Sequence, residues 1–304
     1  MQKDFLTHNQ QMKRLRDSKK IVCSGSIDKE ILCRTGYFNL INGYKQPFVA
    51  SMDENGNHIY YRGTSIREIY ALKQFDDNLR SILLKQITKV EEEIRALAAY
   101  KFDEVNDNGK IAWFQIEAYD AQRDAATIMK VISSTYHDVE LSKQEYVQYY
   151  LKHHKFIPTW IMVKVISFSN FINFLNCSKD KVKKSICTIY GIIDNDDRCD
   201  FELLIGSLHW LRTIRNVCAH NERVYTVKHK GGRIKTKYMD MLAPSYLNDR
   251  DKRVIDLLVF MKYFTPHNEY QRFISDVEKS EIVIIVEESL ENALKSLNNS
   301  LQAL

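Results

Sequence analysis

Apolar residues recur at Leu79, Ile82, Leu83, Ile87, Val90, Ile94 and Leu97, the i, i+3, i+4, i+7 rhythm that lines one face of an α-helix. The spacing predicts an amphipathic helix over roughly 78–101, about six turns long. Just before it, Ser65 and Glu68 stand at capping-box spacing, and Ile66, Ile69 and Leu72 open a helix there. Ser142 and Glu145 repeat that spacing ahead of Tyr146–Tyr150. Pro158 leads into an apolar run from Trp160 to Leu175, expected to be buried on most sides. Ser178 is placed to cap a helix ending near Gly191. Asp200 is placed to cap a long one from Phe201 to about Glu222, with Leu203, Leu204, Leu208, Leu211 and Ile214 facing inward. Further helices are expected from Arg250 to Phe264, ahead of Pro266, and from about Asn268 to Gln302. The first 60 or so residues break the helical rhythm. Gly36 to Tyr44 mixes glycines with aromatics and suggests a short helix and a tight bend before Pro47. Asn55-Gly56 marks a hairpin turn between Phe48-Val49 and Ile59–Tyr61. The fold class is mainly α, with one or two small β-hairpins.

Composition narrows this only slightly. Four prolines and ten glycines in 304 residues favour helices over a turn-rich β sandwich. The pattern divides the chain into a mixed segment (1–63), a helical domain (64–227) and a basic hairpin with C-terminal helices (228–304). No run approaches the ~18 apolar residues of a membrane span, and no apolar stretch follows the polar N-terminus. The six cysteines, Cys23, Cys33, Cys177, Cys187, Cys199 and Cys218, are widely spaced and read as reduced thiols. A cytoplasmic location, away from membranes, is the expectation. His153 and His154 are adjacent, no Cys-x-x-Cys occurs, and Gly231-Gly232 lacks the company of a phosphate loop. No metal site and no cofactor are expected.

Charge is uneven. Lysine and arginine exceed the acids by five, 44 against 39. Lys228, Lys230, Arg233, Lys235 and Lys237, in a stretch without an acid, account for that whole excess. Folded about Gly231-Gly232, the segment places Lys228, Lys230, Arg233, Lys235 and Lys237 on one face of a hairpin. Like charges directly opposite one another destabilise a sheet, so such a face is easiest to understand with a polyanion on it, RNA first. The alternative is a solvated basic loop.

The chemistry lies at the end of the long helix, Leu211-Arg212-Thr213-Ile214-Arg215-Asn216-Val217-Cys218-Ala219-His220. Asn216 and His220, four apart, share a helical face, and Arg215 is long enough to swing toward it. The trio offers a proton acceptor near neutral pH, an amide to hold it and a fixed cation. Those parts suit phosphodiester cleavage in RNA: histidine takes the 2′-OH proton and arginine stabilises charge on the phosphate oxygens. Such a scheme needs no metal. Cys218 reads as a packing residue, and Glu91–Glu93 with Arg95 as ordinary i, i+4 surface pairs, with a polar network inside the bundle as the alternative.

Arg215, Asn216 and His220 resemble the R-N-x-x-x-H signature of HEPN-superfamily ribonucleases. The chain is similar, more closely, to the Abi-like (AbiD/AbiF) abortive-infection proteins. Three blocks carry the likeness: Arg34–Tyr44, Phe156–Met162 around Pro158 and Trp160, and Leu208–His220 followed by Arg223. The resemblance covers roughly residues 5–227. Val224-Tyr225-Thr226-Val227 departs from the family's usual continuation after the arginine. The resemblance implies a HEPN-like helical bundle, a metal-independent endoribonuclease acting in anti-phage defence, and catalytic roles for Arg215, Asn216 and His220. It also implies a homodimer with a composite active site, an RNA substrate and a small non-coding RNA regulator. A non-catalytic HEPN-fold RNA-binding or antitoxin-like subunit is the alternative, and the intact trio favours the enzyme.

Overall fold

The computed structural model describes residues 5–154, 156–193, 198–227 and 254–279. The chain is mainly helical, and the described residues form one two-stranded sheet. Helices α1 (His8–Asp17) and α2 (Gly25–Thr35) come first; Thr7 and Gln10 close a capping box on α1. A π turn over Phe38–Asn42 leads to the antiparallel hairpin of β1 (Val49–Met52) and β2 (His58–Tyr60). Its turn lies where Asn55-Gly56 predicts. The Asp53 carboxylate accepts the N–H groups of Asn55 and Asn57 at 2.9 and 2.7 Å, and Gly56 takes φ +76°.

The spine of the molecule is α3 (Ile66–Val105), opened by the expected reciprocal cap of Ser65 and Glu68. Where the periodicity suggests two helices meeting near Asn78, there is one helix of 40 residues, about 60 Å long at the α-helical rise. No glycine or proline interrupts it, and the polar break at Asp76-Asp77 is neutralised by Arg80 within one turn. Ile69, Leu72, Leu79, Leu83, Ile87, Val90, Ile94, Ala98 and Phe102 bury its inner stripe.

Six helices follow in the central part. Asp124 caps α4 (Ala125–Leu141) through the Thr127 N–H, in a stretch where the sequence pattern marks no element. Next comes α5 (Glu145–His153). Ser142 does not cap α5: it ends α4, and Gln144 takes the N-cap position. The apolar run after Pro158 divides into α6 (Thr159–Val165) and α7 (Phe168–Cys177), with Ser167 capping α7 through the Asn170 N–H. Trp160, expected inside, is 56% exposed. Ser178 does not cap α8 (Asp180–Tyr190) either. Its hydroxyl donates back to the Phe174 carbonyl at 2.8 Å, while Gly191 ends α8 at φ +64° as expected. Asp200 caps α9 (Phe201–Ala219) through the Leu203 N–H.

Helices α6, α8 and α9 lie along α3, and α4 packs on α7. Finally α10 (Val254–Phe264) rests on α9, with Phe260 against Trp210 at 5.8 Å, and α11 (His267–Lys279) returns to α3. Buried apolar residues from Met12 to Val277 form one contiguous core. Among the described residues, no helix is long and apolar enough to cross a membrane. The basic segment with Lys228, Lys230, Arg233, Lys235 and Lys237, its expected hairpin and the expected helix beyond Lys279 lie outside the described residues.

Candidate active site

Helix α9 buries Leu204, Leu208, Leu211, Ile214 and Cys218. Arg212, Arg215 and Asn216 stand at i, i+3 and i+4 and so share a different stripe. The helix stops at Ala219, three residues before the end its sequence suggests. Asn221 is the reason. It adopts φ +54°, donates its N–H to Cys218, and is followed by a Glu222 N–H bonded to Val217. That pair of bonds is a Schellman motif with asparagine in the left-handed position. His220 is thus the C-cap residue. Its N–H still bonds the Asn216 carbonyl at 3.0 Å, which keeps the two residues one turn apart, and its side chain is exposed. Cys218 is buried, and burial pushes its thiol up to about 12. It stays protonated and serves packing.

Arg215 is held from α3. Its Nε lies 3.5 Å from Glu91 Oε2, and its Nη1 donates to Asn216 Oδ1 at 3.3 Å. Glu91 and Arg95 are not the surface pair their spacing suggests. Both are buried, and Arg95 donates from Nε and Nη2 to Glu91 Oε1 at 3.1 and 2.6 Å. The Arg95 guanidinium also donates to the carbonyls of Val163 and Ile166, where α6 ends, and sits 5.0 Å from the Phe171 ring centre. Burial lowers its pKa from the usual arginine value, against the pull of Glu91. Two clefts meet at this cluster. One, of about 990 Å³, runs past Ala96, Ala99, Val163 and Pro158 to the exposed rings of Tyr100, Trp160 and Phe156. On its floor Thr159 donates to Asp103 at 2.6 Å, and burial raises the Asp103 pKa. The other cleft, of about 430 Å³, is polar and presents Arg95, Lys164, Arg212 and Arg215. Arg215 lines both; His220 lines neither.

The segment after His220 is fixed by a second buried cluster. Asp76 is fully buried and accepts the N–H groups of Val224 and Tyr225 at 3.1 and 2.9 Å and the Tyr44 hydroxyl at 2.8 Å. It also pairs with Arg80, which in turn donates to the Glu222 carbonyl. Burial weighs against the Arg80 cation, but the Tyr44 hydroxyl and the Asp76 carboxylate outweigh it and raise its pKa. Arg223 donates to the Gly43 carbonyl, and Tyr44 stacks on Tyr225 with ring centres 6.3 Å apart. The glycine–aromatic block and the residues after the motif, remote in sequence, are therefore one structural unit.

A family model described as Abi-like protein matches residues 30–226, well over half of the chain. The chain belongs to the Abi-like protein family. Membership points to a role in abortive infection, and the matched interval takes in all three blocks singled out in the sequence. No curated protein and no solved structure matches the chain. In this Abi-like chain the structure joins Arg215 to Asn216 directly and leaves His220 exposed one turn further on. The five basic residues from Lys228 to Lys237 fall outside the described residues. Sequence reasoning missed Glu91, Arg95, Lys164 and Arg212. The available signal was charge on an apolar stripe: Glu91 and Arg95 fall in register with Ile87, Ile94 and Ala98.

Proposed function

We propose that this Abi-like protein is a metal-independent endoribonuclease of the HEPN type, acting in abortive infection. One observation supports the reading above others. Arg215 is braced by Glu91 and Asn216 at the rim of two clefts, and His220 stands exposed one turn beyond Asn216. In the proposed reaction His220 removes the 2′-OH proton of a ribose, and the freed oxygen attacks the neighbouring phosphorus. The bond to the 5′-oxygen breaks, leaving a 2′,3′-cyclic phosphate and, once the 5′-oxygen is protonated, a 5′-OH. Arg215 stabilises the charge that develops on the phosphate oxygens, and Asn216 holds the arginine. One chain brings one motif histidine, so the departing oxygen takes its proton from His220 of a second copy, in a homodimer.

The test is cleavage of RNA by the wild-type protein and by His220→Ala and Arg215→Ala, each checked for unchanged helix content. Loss of a general acid–base group costs about 10²–10⁴-fold. Cleavage should survive EDTA and stop where a 2′-deoxy residue replaces the ribose at the cut. Equal cleavage by the folded variants overturns the proposal. RNA bound but never cut by the wild type would instead make the chain a binding subunit.

A further inference from the structure

The polar cleft beside Arg215 is built like an oxyanion site. Arg95, Lys164, Arg212 and Arg215 line it against the single carboxylate of Glu91. Glu91 is itself engaged: Oε1 takes both bonds from Arg95, and Oε2 faces the Arg215 Nε. The nearby Asp138 is occupied as well, accepting the Ser167 N–H at 2.8 Å and the Asn170 amide at 2.6 Å. Positive charge is thus left over inside a partly enclosed space. Arg95 gives its donors to Glu91 and two backbone carbonyls, so it shapes the cleft and adds field. Arg212, by contrast, makes one hydrogen bond, from Nη1 to Ser169 Oγ at 2.5 Å, and its buried Nε has no acceptor among the described residues. Most buried polar groups are paired, and this guanidinium donor is not.

The opposite wall supplies donors of the right kind. It is the start of α7, where Ser167, Phe168 and Ser169 line the cleft. The Ser167 N–H goes to Asp138 and the Asn170 N–H to Ser167 Oγ. The N–H groups of Phe168 and Ser169 have no acceptor among the described residues, as the first turn of a helix leaves them, and its dipole favours an anion there. Exposed Lys164 closes the rim. Along α9, Arg212, Arg215, Asn216 and His220 stand at i, i+3, i+4 and i+8. The helical rise puts Arg212 about 12 Å from His220 along the axis.

We infer that this cleft is a phosphate subsite for single-stranded RNA, with Arg212, Lys164, Ser169 and the α7 N-terminus gripping a backbone phosphate adjacent to the one that Arg215 and His220 act on. The inference rests on the nuclease reading for its position in a reaction, but binding can be measured without any cleavage.

The probe is a fluorescein-labelled 2′-O-methyl oligoribonucleotide, which has no free 2′-OH to attack. Its affinity is measured by anisotropy over a salt series for wild type, Lys164→Gln, Arg212→Gln and the double variant. Removing either cation deletes a charge-assisted hydrogen bond and should weaken binding roughly tenfold. The log–log salt slope should fall by about 0.7 for each phosphate no longer neutralised. Lys164 is exposed, so Lys164→Gln reads the site without risk to folding, and thermal melting checks Arg212→Gln. Weaker binding with a flatter slope supports the subsite, even where the wild-type protein is found not to cut RNA. Affinity and slope equal to wild type in the double variant overturn it, even if the wild type cuts RNA well. Tripolyphosphate held through Lys164 with no binding of the oligonucleotide would also overturn it, because the cleft would then serve a free anion. An acidic protein captured through Lys164 and Arg212, in place of RNA, would do the same.

Discussion

Replacing Asp76 by alanine would strand the Arg80 guanidinium in the interior. It would also remove the acceptor of the Val224 and Tyr225 N–H groups and of the Tyr44 hydroxyl. Asp76 is fully buried, so water does not take over at once. Breaking a buried ion pair by deleting one partner costs about 3–5 kcal/mol, and a buried donor without an acceptor about 1–3 kcal/mol. Asp77 still holds the other side of Arg80, and the chain after Glu222 can lift away to hydrate its N–H groups. The costs therefore do not add, and a loss of about 3–5 kcal/mol is expected, a large part of the 5–15 typical of a domain. Urea unfolding followed by circular dichroism measures it, with the slope m unchanged if the denatured state is unaffected. Hydrogen exchange should show Val224 and Tyr225 losing protection first. Pairing Asp76→Leu with Arg80→Met removes both charges and should recover most of the loss. A double variant as unstable as the single one, or a single loss under about 1 kcal/mol, would refute the claim that a stranded charge sets the cost.

Two further outcomes are expected. Burial and, after it, the Arg212 cation lower the His209 pKa below 6.5, so the folded state holds the ring neutral while the unfolded chain takes up a proton. Its contribution is then complete above the unfolded value and lost as pH falls toward the folded one; His209→Gln should flatten the melting-temperature profile below pH ~6.5. Asp200→Ala removes the cap on the Leu203 N–H at 2.8 Å and should cost about 1 kcal/mol in urea unfolding. No loss would show that α9 starts without it.

Much of the fold was legible because local chemistry and tertiary demand agree. Ser65 with Glu68, Asp200 before Phe201, Gly191 after Tyr190 and Asn55-Gly56 all sit where their side chains or backbone freedom suit them. Ser142 and Ser178 mislead because a serine three residues before a polar side chain also fits the end of the preceding helix, which is where both stand. Trp160 follows a proline inside an apolar run, yet helix α6 turns its ring toward a cleft rather than the core. The trio in α9 was visible as a motif, but its supports were not. Glu91 and Arg95 read as surface charge, and nothing local singles out Asp76 and Arg80, until their partners arrive from residues 44, 163, 166 and 222–225. Asn221 was the local signal that His220 would leave the helix, since asparagine accepts the left-handed conformation that ends one.

The length of α3 acts as a ruler. Arg80 holds the chain that follows His220, and Glu91 holds Arg215, so both ends of the motif are referenced to one unbroken rod. They stand eleven positions apart, which is about three turns and leaves the two side chains within roughly 20° of the same face. Inserting one residue between them would swing one clamp by roughly 100° relative to the other while leaving every residue of the motif unchanged. Loops such as the one from Asn106 to Asp124 can absorb a change of length; the stretch from Arg80 to Glu91 can absorb substitutions on its outer face but not a change in phase. The spacing of this motif is therefore written twice, once in α9 as sequence and once in α3 as distance.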